Sequence, residues 1–461
     1  MTKYRRVSWL LLVIALFATA PGGAAELVDP AKLDTLSLPL VENQWVYGAV
    51  VGLVNEQGIQ TVGYGHVAEQ RPERPDAQTV FEIGSISKVF TGLLLADMAA
   101  RGEVALSDPV QSLLGDSMSV PKRGDRQITL EDLATHASGL PRMPSNFYPK
   151  NAGNPYADYT VEQMAKFLAT YKLPRDPGAR SEYSNLGMGL LGHALALRAG
   201  QSYEQLLRAR ICEPLQLPDT WISLDDDRRS RLATGHDADG KPVANWDLPT
   251  LAGAGAIRST AADMLRFLAA NLAIAPTPFA AAMVETHKVH FKNPAGSRGD
   301  VGLAWQIDHG RQALWHNGGT GGYHSFCAFM PEKRAGVVVL SSTAAMRVDA
   351  WGWSVLKLLV DDEVNPVAAP KSIEASADSL ARLVGQYQLG SLGTATVSQD
   401  GTQLYLQVSG QPKARLYAES KDRFFLRVVD ASIQFEAGDD GAVEKLVIHQ
   451  GGQDVSAPKK K

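Results

Sequence analysis

The sequence predicts an α+β fold: an antiparallel sheet flanked by helices with an inserted all-helical region, and then a small C-terminal all-β, barrel-like domain. Three observations carry that prediction. Strand-like apolar runs stand near residues 47–64 and again at 302–340. Between them, from about 105 to 275, helical spacing and helix caps dominate. Beyond 378 the pattern changes to short alternating runs separated by turn residues. One sheet assembled from both ends of a segment and packed on a helical insertion accounts for the first two observations. A separate β module accounts for the third.

Taken in order, Tyr47–Asn55 (YGAVVGLVN) reads as a strand, Gly58 as a turn and Gln60–Tyr64 as the partner strand. Phe81–Ile83 is a short strand leading to Ser85. From there Ile86, Val89, Phe90, Leu93, Leu94 and Met98 recur at helical spacing, Leu95 and Ala96 widen the stripe, and Gly102 is the stop. The spacing predicts a helix buried on most sides. Thr129 (TLED) and Thr160 (TVEQ) begin capping boxes. Asn185 is expected to precede a helix running to about Arg198, and another helix is expected after Thr260. Strands are expected at Gly302–Ile307, Ala313–His316, Tyr323–Met330 and Val337–Leu340, and a last helix over Trp351–Val360. Residues 363–378 are rich in Pro, Ala and Ser and read as a linker. The expected organisation is a leader at 1–25, a main domain at 26–362, the linker, and the all-β domain at 379–461.

The leader has the layout of a secretory signal peptide. Lys3, Arg5 and Arg6 precede the apolar run Val7–Ala20, and small residues follow to Ala25. The run is short for a bilayer span. Cleavage after Ala25 predicts an exported, periplasmic chain with no integral membrane span. It removes three positive charges and changes the net charge from −4 to −7. That balance gives no drive toward nucleic acid or anionic membranes. The two cysteines, Cys212 and Cys327, each sit in apolar surroundings, where buried free thiols are the simpler reading and one disulfide the alternative. His287 and His290 are three apart but lack an obvious third ligand. No metal or other cofactor is expected, and oligomeric state is left open.

The tetrad S-x-x-K occurs at Ser85, Ser119, Ser354 and Ser456. Two copies carry a proline, and the Ser354 copy lacks a glycine before it. Only Ser85-Ile86-Ser87-Lys88 follows a strand and a glycine and opens a buried helix. Its i,i+3 spacing puts both side chains on one face. A lysine in a desolvated pocket can lose its proton and act as a base toward a serine. The same serine could simply cap the helix. Tyr183-Ser184-Asn185 is the chain's one Y-x-N. A tyrosine near cations could have its phenol pKa lowered and move protons, and Asn185 could orient the lysine and meet a substrate carbonyl. His316-Asn317-Gly318, followed by Gly319, Gly321 and Gly322, ends a strand in more glycine than a hairpin needs.

In that order these motifs resemble the penicillin-recognising serine hydrolases: class C β-lactamases and the related DD-peptidases, D-aminopeptidases and serine esterases. Further similarity lies in THASGLPR (Thr135–Arg142), PGARSEYSN (Pro177–Asn185), GAGAIRSTAADM (Gly253–Met264) and FMPEKRAGVVVL (Phe329–Leu340), so that the resemblance covers residues 40–360. The C-terminal module resembles the lipocalin-like β domain often attached to such hydrolases. The resemblance implies a β-lactamase/transpeptidase-like fold and a Ser85 acyl-enzyme. It makes Lys88 and Tyr183 the catalytic partners, with Tyr183 also activating the deacylating water. Asn185, His316 and Gly318 would orient substrate, and the backbone N–H groups of Ser85 and Gly319 would form the oxyanion hole. His136 would be structural. The implied substrate is a small β-lactam or a D-amino-acid-containing peptide, with an ester as a further possibility and a penicillin-binding or sensor-like protein of negligible turnover as the non-enzyme alternative. Most β-lactamases of the group carry lysine where this chain has His316. Histidine there resembles certain DD-carboxypeptidases, D-aminopeptidases and esterases, and its charge depends on pH. If the cationic form binds a substrate carboxylate, the Michaelis constant rises above the histidine pKa.

Overall fold

The computed structural model describes residues 26–294, 299–364 and 366–460. The expected signal peptide lies outside them. Among the described residues no helix is long and apolar enough to cross a membrane.

The first sheet has strands β1 (Gly48–Asn55), β2 (Gly58–Gly65), β5 (Asp300–Val301), β6 (Gln306–Asp308), β7 (Ala313–Gly319), β8 (His324–Met330) and β9 (Ala335–Ser341). A separate pair, β3 (Val80–Glu82) and β4 (Arg258–Thr260), stands outside it. The order across the first sheet is β2-β1-β9-β8-β7-β6-β5, with antiparallel pairing between neighbours. The sheet thus joins the two ends of the segment, as the sequence predicts. Both faces are covered. Val50 and Val54 of β1, with Val338 and Leu340 of β9, pack into one core with the helices Ser87–Ala100 and Ala261–Asn271. Ala49, Val51 and Leu53, with Val337 and Val339, pack into a second core with the helices Pro30–Glu42 and Arg347–Leu359. Double-sided burial is why these strands read as continuous apolar runs rather than alternating ones.

The local chemistry explains several boundaries. Thr129 and Thr160 form the capping boxes, with Asp132 and Gln163 as their partners. Residues Ser87 to Met98 of the helix after Ser85 are all buried. Two expectations are corrected. Gly302–Ile307 is not one strand: Ala304 takes φ +71° and the Gly302 N–H closes a turn on the Trp305 carbonyl at 2.8 Å, so only Gln306 onward pairs. The helix Asn185–Ala199 is capped by Ser184, whose hydroxyl accepts from the Gly187 N–H at 2.8 Å, leaving Asn185 inside the first turn. Cys212 and Cys327 are free and buried.

The C-terminal strands β10 (Gly385–Gln388), β11 (Thr394–Asp400), β12 (Gln403–Val408), β13 (Ala414–Ala418), β14 (Arg423–Phe425), β15 (Ala431–Ala437), β16 (Val443–Gln450) and β17 (Gln453–Pro458) form one antiparallel meander. Tyr387 bridges Lys459, and the Lys460 N–H donates to Gln386 O at 2.7 Å, so the last strand returns to the first and the barrel nearly closes. Closure removes the unpaired edges. The barrel leans on the first domain through its own side chains. Phe425 stacks on Trp45 at 5.1 Å, and the Tyr417 hydroxyl donates to Asp239 Oδ1 at 2.6 Å.

Candidate active site

The site forms where the turn Gly84–Ile86 meets the end of β7. Gly84 has φ +49°, and a Cβ there would sit 2.7 Å from the Gly319 nitrogen. A Cβ on Gly318 would lie 2.0 Å from the Ile83 carbonyl oxygen. Glycine at both positions is therefore what lets the serine turn touch the strand. Ser325 on β8 fastens the contact by donating to Ile83 O at 2.8 Å. The backbone N–H groups of Ser85 and Gly319 are thereby brought to one small region, with Gly319 exposed at its edge.

Lys88, one turn beyond Ser85, is fully buried. Its Nζ lies 2.8 Å from Ser85 Oγ and donates to the Ala254 carbonyl at 2.6 Å. That carbonyl belongs to the GAGA stretch, whose Gly253 O also accepts from Thr91 at 2.7 Å. Burial, with the nearby Arg142 guanidinium as the second cause, holds the Lys88 pKa well below its ordinary value. Ser85 is not a helix cap: it lies inside the turn Gly84–Ile86, and its hydroxyl accepts from Lys88 Nζ.

Tyr183 completes the cluster. Lys88 Nζ lies 4.8 Å from its ring centre and its hydroxyl is hydrogen-bonded to Ser85. The expected lowering of its phenol pKa is overturned. Burial outweighs the Ser85 hydrogen bond and the Arg142 charge, and pushes the phenol up to about 12. The Tyr183 phenol therefore keeps its proton at neutral pH.

The motif segments hold the tyrosine rigidly. The Glu182 N–H donates to His136 O at 2.8 Å, and the Ser184 N–H donates to His136 Nδ1 at 3.2 Å. His136 takes φ +60° and lays its ring 4.5 Å from that of Tyr183. It is structural in this sense, as expected. Its Nε2 is nevertheless buried without a partner among the described residues.

Asn185 does not reach Lys88 by any hydrogen bond among the described residues. Its Nδ2 meets Met143 Sδ at 3.8 Å, and Oδ1 is buried without a partner. One polar atom of the amide is thus without a partner among the described residues.

His316 is 2 % exposed, with its ring centre 6.4 Å from that of Tyr183. Its Nδ1–H donates to Asn317 O at 2.6 Å, so Nε2 carries the lone pair, and Nε2 is buried with no partner among the described residues. Burial first, then Lys88, brings its pKa down to about 3. The imidazole is neutral through the physiological range, and the expected cationic hold on a carboxylate is lost.

Residues that sequence reasoning passed over surround this cluster. Asp349 accepts from Asn317 Nδ2 at 2.6 Å and pairs with His324 Nε2 at 2.7 Å, tying the end of β7 and the start of β8 to the helix Arg347–Leu359. Arg142 ends the THASGLPR stretch, and its position beside Tyr183 depends on a contact that no spacing encodes. His287 and His290 have separate partners, Asn271 Oδ1 at 2.9 Å and Glu131 Oε1 at 2.7 Å. No group of three or more metal-ligating side chains occurs among the described residues.

Residues 33–360 match the family described as Beta-lactamase, and residues 369–458 match a domain of unknown function, DUF3471. The chain is 29% identical over 362 residues to a β-lactamase of Escherichia coli K12, covering 70% of this chain and 91% of that protein. It is 31% identical over 308 residues to the D-alanyl-D-alanine-carboxypeptidase/endopeptidase AmpH of the same organism, covering 63% of this chain and 78% of that one. A crystal structure of a β-lactamase/D-alanine carboxypeptidase from Yersinia pestis superimposes with TM-score 0.63 at 25% identity, covering 72% of this chain and 99% of that one. With the match extending over most of its length, the chain belongs to the β-lactamase family and is a serine hydrolase.

Proposed function

We propose that the protein hydrolyses β-lactams, or the chemically related D-alanyl peptides, through an acyl-enzyme on Ser85, and that it does so in the periplasm after removal of residues 1–25. The observation that carries this reading is Lys88 Nζ 2.8 Å from Ser85 Oγ, in a buried position that holds the amine's pKa well below its ordinary value.

Lys88 takes the Ser85 hydroxyl proton as Oγ attacks the substrate carbonyl. The backbone N–H groups of Ser85 and Gly319 receive the oxyanion, and losing one such donor typically costs about 3 kcal/mol. As the C–N bond breaks, Tyr183 gives its phenolic proton to the leaving nitrogen and is restored by the proton on Lys88. The net transfer is from serine to leaving group. In the second half a water attacks the ester. Its proton passes through the Tyr183–Lys88 pair to Ser85 Oγ as the C–O bond breaks, and the carboxylic acid product leaves. Asn185, with one amide atom unmatched, and the lone pair on His316 Nε2 orient substrate N–H groups.

The test is a panel of a chromogenic cephalosporin, a D-alanyl-D-alanine peptide, a D-amino-acid anilide and a short-chain ester, run beside a fluorescent penicillin label. Turnover of the first or second substrate, lost in Ser85→Ala, supports the proposal. Stable Ser85-dependent label without turnover would favour the penicillin-binding alternative, and turnover of the ester alone would make this an esterase. Absence of both label and turnover would sink the Ser85 reading.

A further inference from the structure

We infer that Arg142 is the anion receptor of this site and selects acyl donors that carry a carboxylate; the inference rests on the Ser85 reading above. The charges around Ser85 are unevenly placed. Lys88 and His316 are buried, and the His316 nitrogen not bonded to the backbone is the one without a proton. Arg258, on the strand that pairs with the run-in to Ser85, is occupied by Glu82 at 3.3 Å and Asp247 at 3.0 Å. Beside Gly319 the local charge is the Asp349 carboxylate, held by Asn317 and His324. None of these groups offers a free cation to a substrate.

Arg142 does. Its backbone is fixed, because the N–H groups of Asn185 and Leu186 donate to its carbonyl at 3.0 and 3.3 Å at the start of the helix. Its side chain is exposed and enters no ion pair among the described residues, and the guanidinium carbon lies 5.1 Å from the centre of the Tyr183 ring. The face of an aromatic ring steadies a guanidinium without using its N–H groups, which stay free for bidentate contact with a carboxylate. Arg142 and Asn185 also share a wall, so an acyl chain lying along Asn185 would bring its own carboxylate to Arg142. A lysine at the His316 position would serve a carboxylate from the sheet side; this chain serves it from the helical side.

The experiment compares p-nitrophenyl butyrate with the mono-p-nitrophenyl ester of glutaric acid, which adds a carboxylate to an acyl chain of similar size. The readout is the ratio of kcat/KM for the charged ester to that for the neutral one. Arg142 also depresses the Lys88 pKa, and the ratio cancels any change in the base. In Arg142→Gln the ratio is expected to fall about tenfold, mainly through KM of the charged ester, with Arg142→Lys in between. Added sodium chloride should lower the wild-type ratio and leave that of Arg142→Gln flat. An unchanged ratio in Arg142→Gln, with both esters still hydrolysed, overturns the inference and leaves the Ser85 reading intact. If neither ester is hydrolysed and a fluorophosphonate fails to label Ser85, the reading itself fails and the inference goes with it.

Discussion

The cleft around Ser85 and the C-terminal barrel are both densely packed, but they handle buried polar groups differently. The barrel core is built from groups such as Leu404, Ile433, Phe435 and Leu446, and its buried Tyr387 hydroxyl is satisfied by Leu383 O at 2.7 Å. Among the described residues its orphaned polar atoms belong to Arg382 and Arg427, each of which bonds a carbonyl through Nη2. The cleft instead buries a whole lysine, two imidazoles with an unpartnered nitrogen each, and an amide with an unpartnered oxygen. Such groups cost stability. Under the function proposed for Ser85, a substrate supplies the missing partners. The contrast sets the cleft around Ser85 apart from the barrel.

The largest expected effect comes from the cleft alone. Ser85→Ala should lower kcat/KM about 10⁴–10⁶-fold with no loss of melting temperature; a parallel loss of both would mean that Ser85 is structural. Lys88→Met should lower kcat about 10²–10⁴-fold and raise the melting temperature by about 2 °C, because an apolar chain of similar shape replaces a buried amine. A fall in melting temperature would show that the Ala254 contact outweighs the desolvation of the lysine. Gly84→Ala should cost about 10²-fold in kcat, since a Cβ 2.7 Å from the Gly319 nitrogen pushes one oxyanion donor away.

Acid should also separate the two regions. Burial lowers the pKa of His136 and of His193, brings His287 down to about 4, and brings His316 down to about 3. Below about 6.5 the unfolded chain protonates these rings while the folded chain does not. The unfolded state then binds more protons, so stability falls as the pH drops from 7 through 5 toward those folded values. Hydrogen exchange at pH 5 should show opening in helices Ser87–Ala100 and Asn185–Ala199 before the barrel strands. By the same reasoning His316→Gln should leave the pH dependence of KM unmoved between 5 and 8, and an inflection lost in that variant would return the charged imidazole to the site. The smallest effect belongs to the junction. Tyr417→Phe removes the hydrogen bond to Asp239 and should cost about 1 kcal/mol of stability, seen in denaturant unfolding, with kcat unchanged.

Much of this was legible in the chain itself. Capping boxes at Thr129 and Thr160 are local chemistry and formed where the residues predict. The apolar stripe after Ser85 is wide enough to demand burial on most sides, and it is buried. The strand runs near both ends of the first domain pair with each other because both are too apolar to face water. Gly302–Ile307 misled because its apolar residues look continuous, while the bend at Ala304 is imposed by packing. The phenol of Tyr183 misled for a different reason. Sequence shows that cations are near in kind, but not that burial outweighs them.

By itself the sequence determined the order of Ser85–Lys88, Tyr183–Asn185 and His316–Gly318, the glycines that let them approach, and the division into a mixed domain and a β module. These are matters of residue type and spacing, which act over a few residues. Only the tertiary structure decided which groups carry charge. Burial lowers the pKa of Lys88 and His316 and raises that of Tyr183 because desolvation sums over every element packed around them. Arg142, by contrast, stands beside the Tyr183 ring with its side chain exposed.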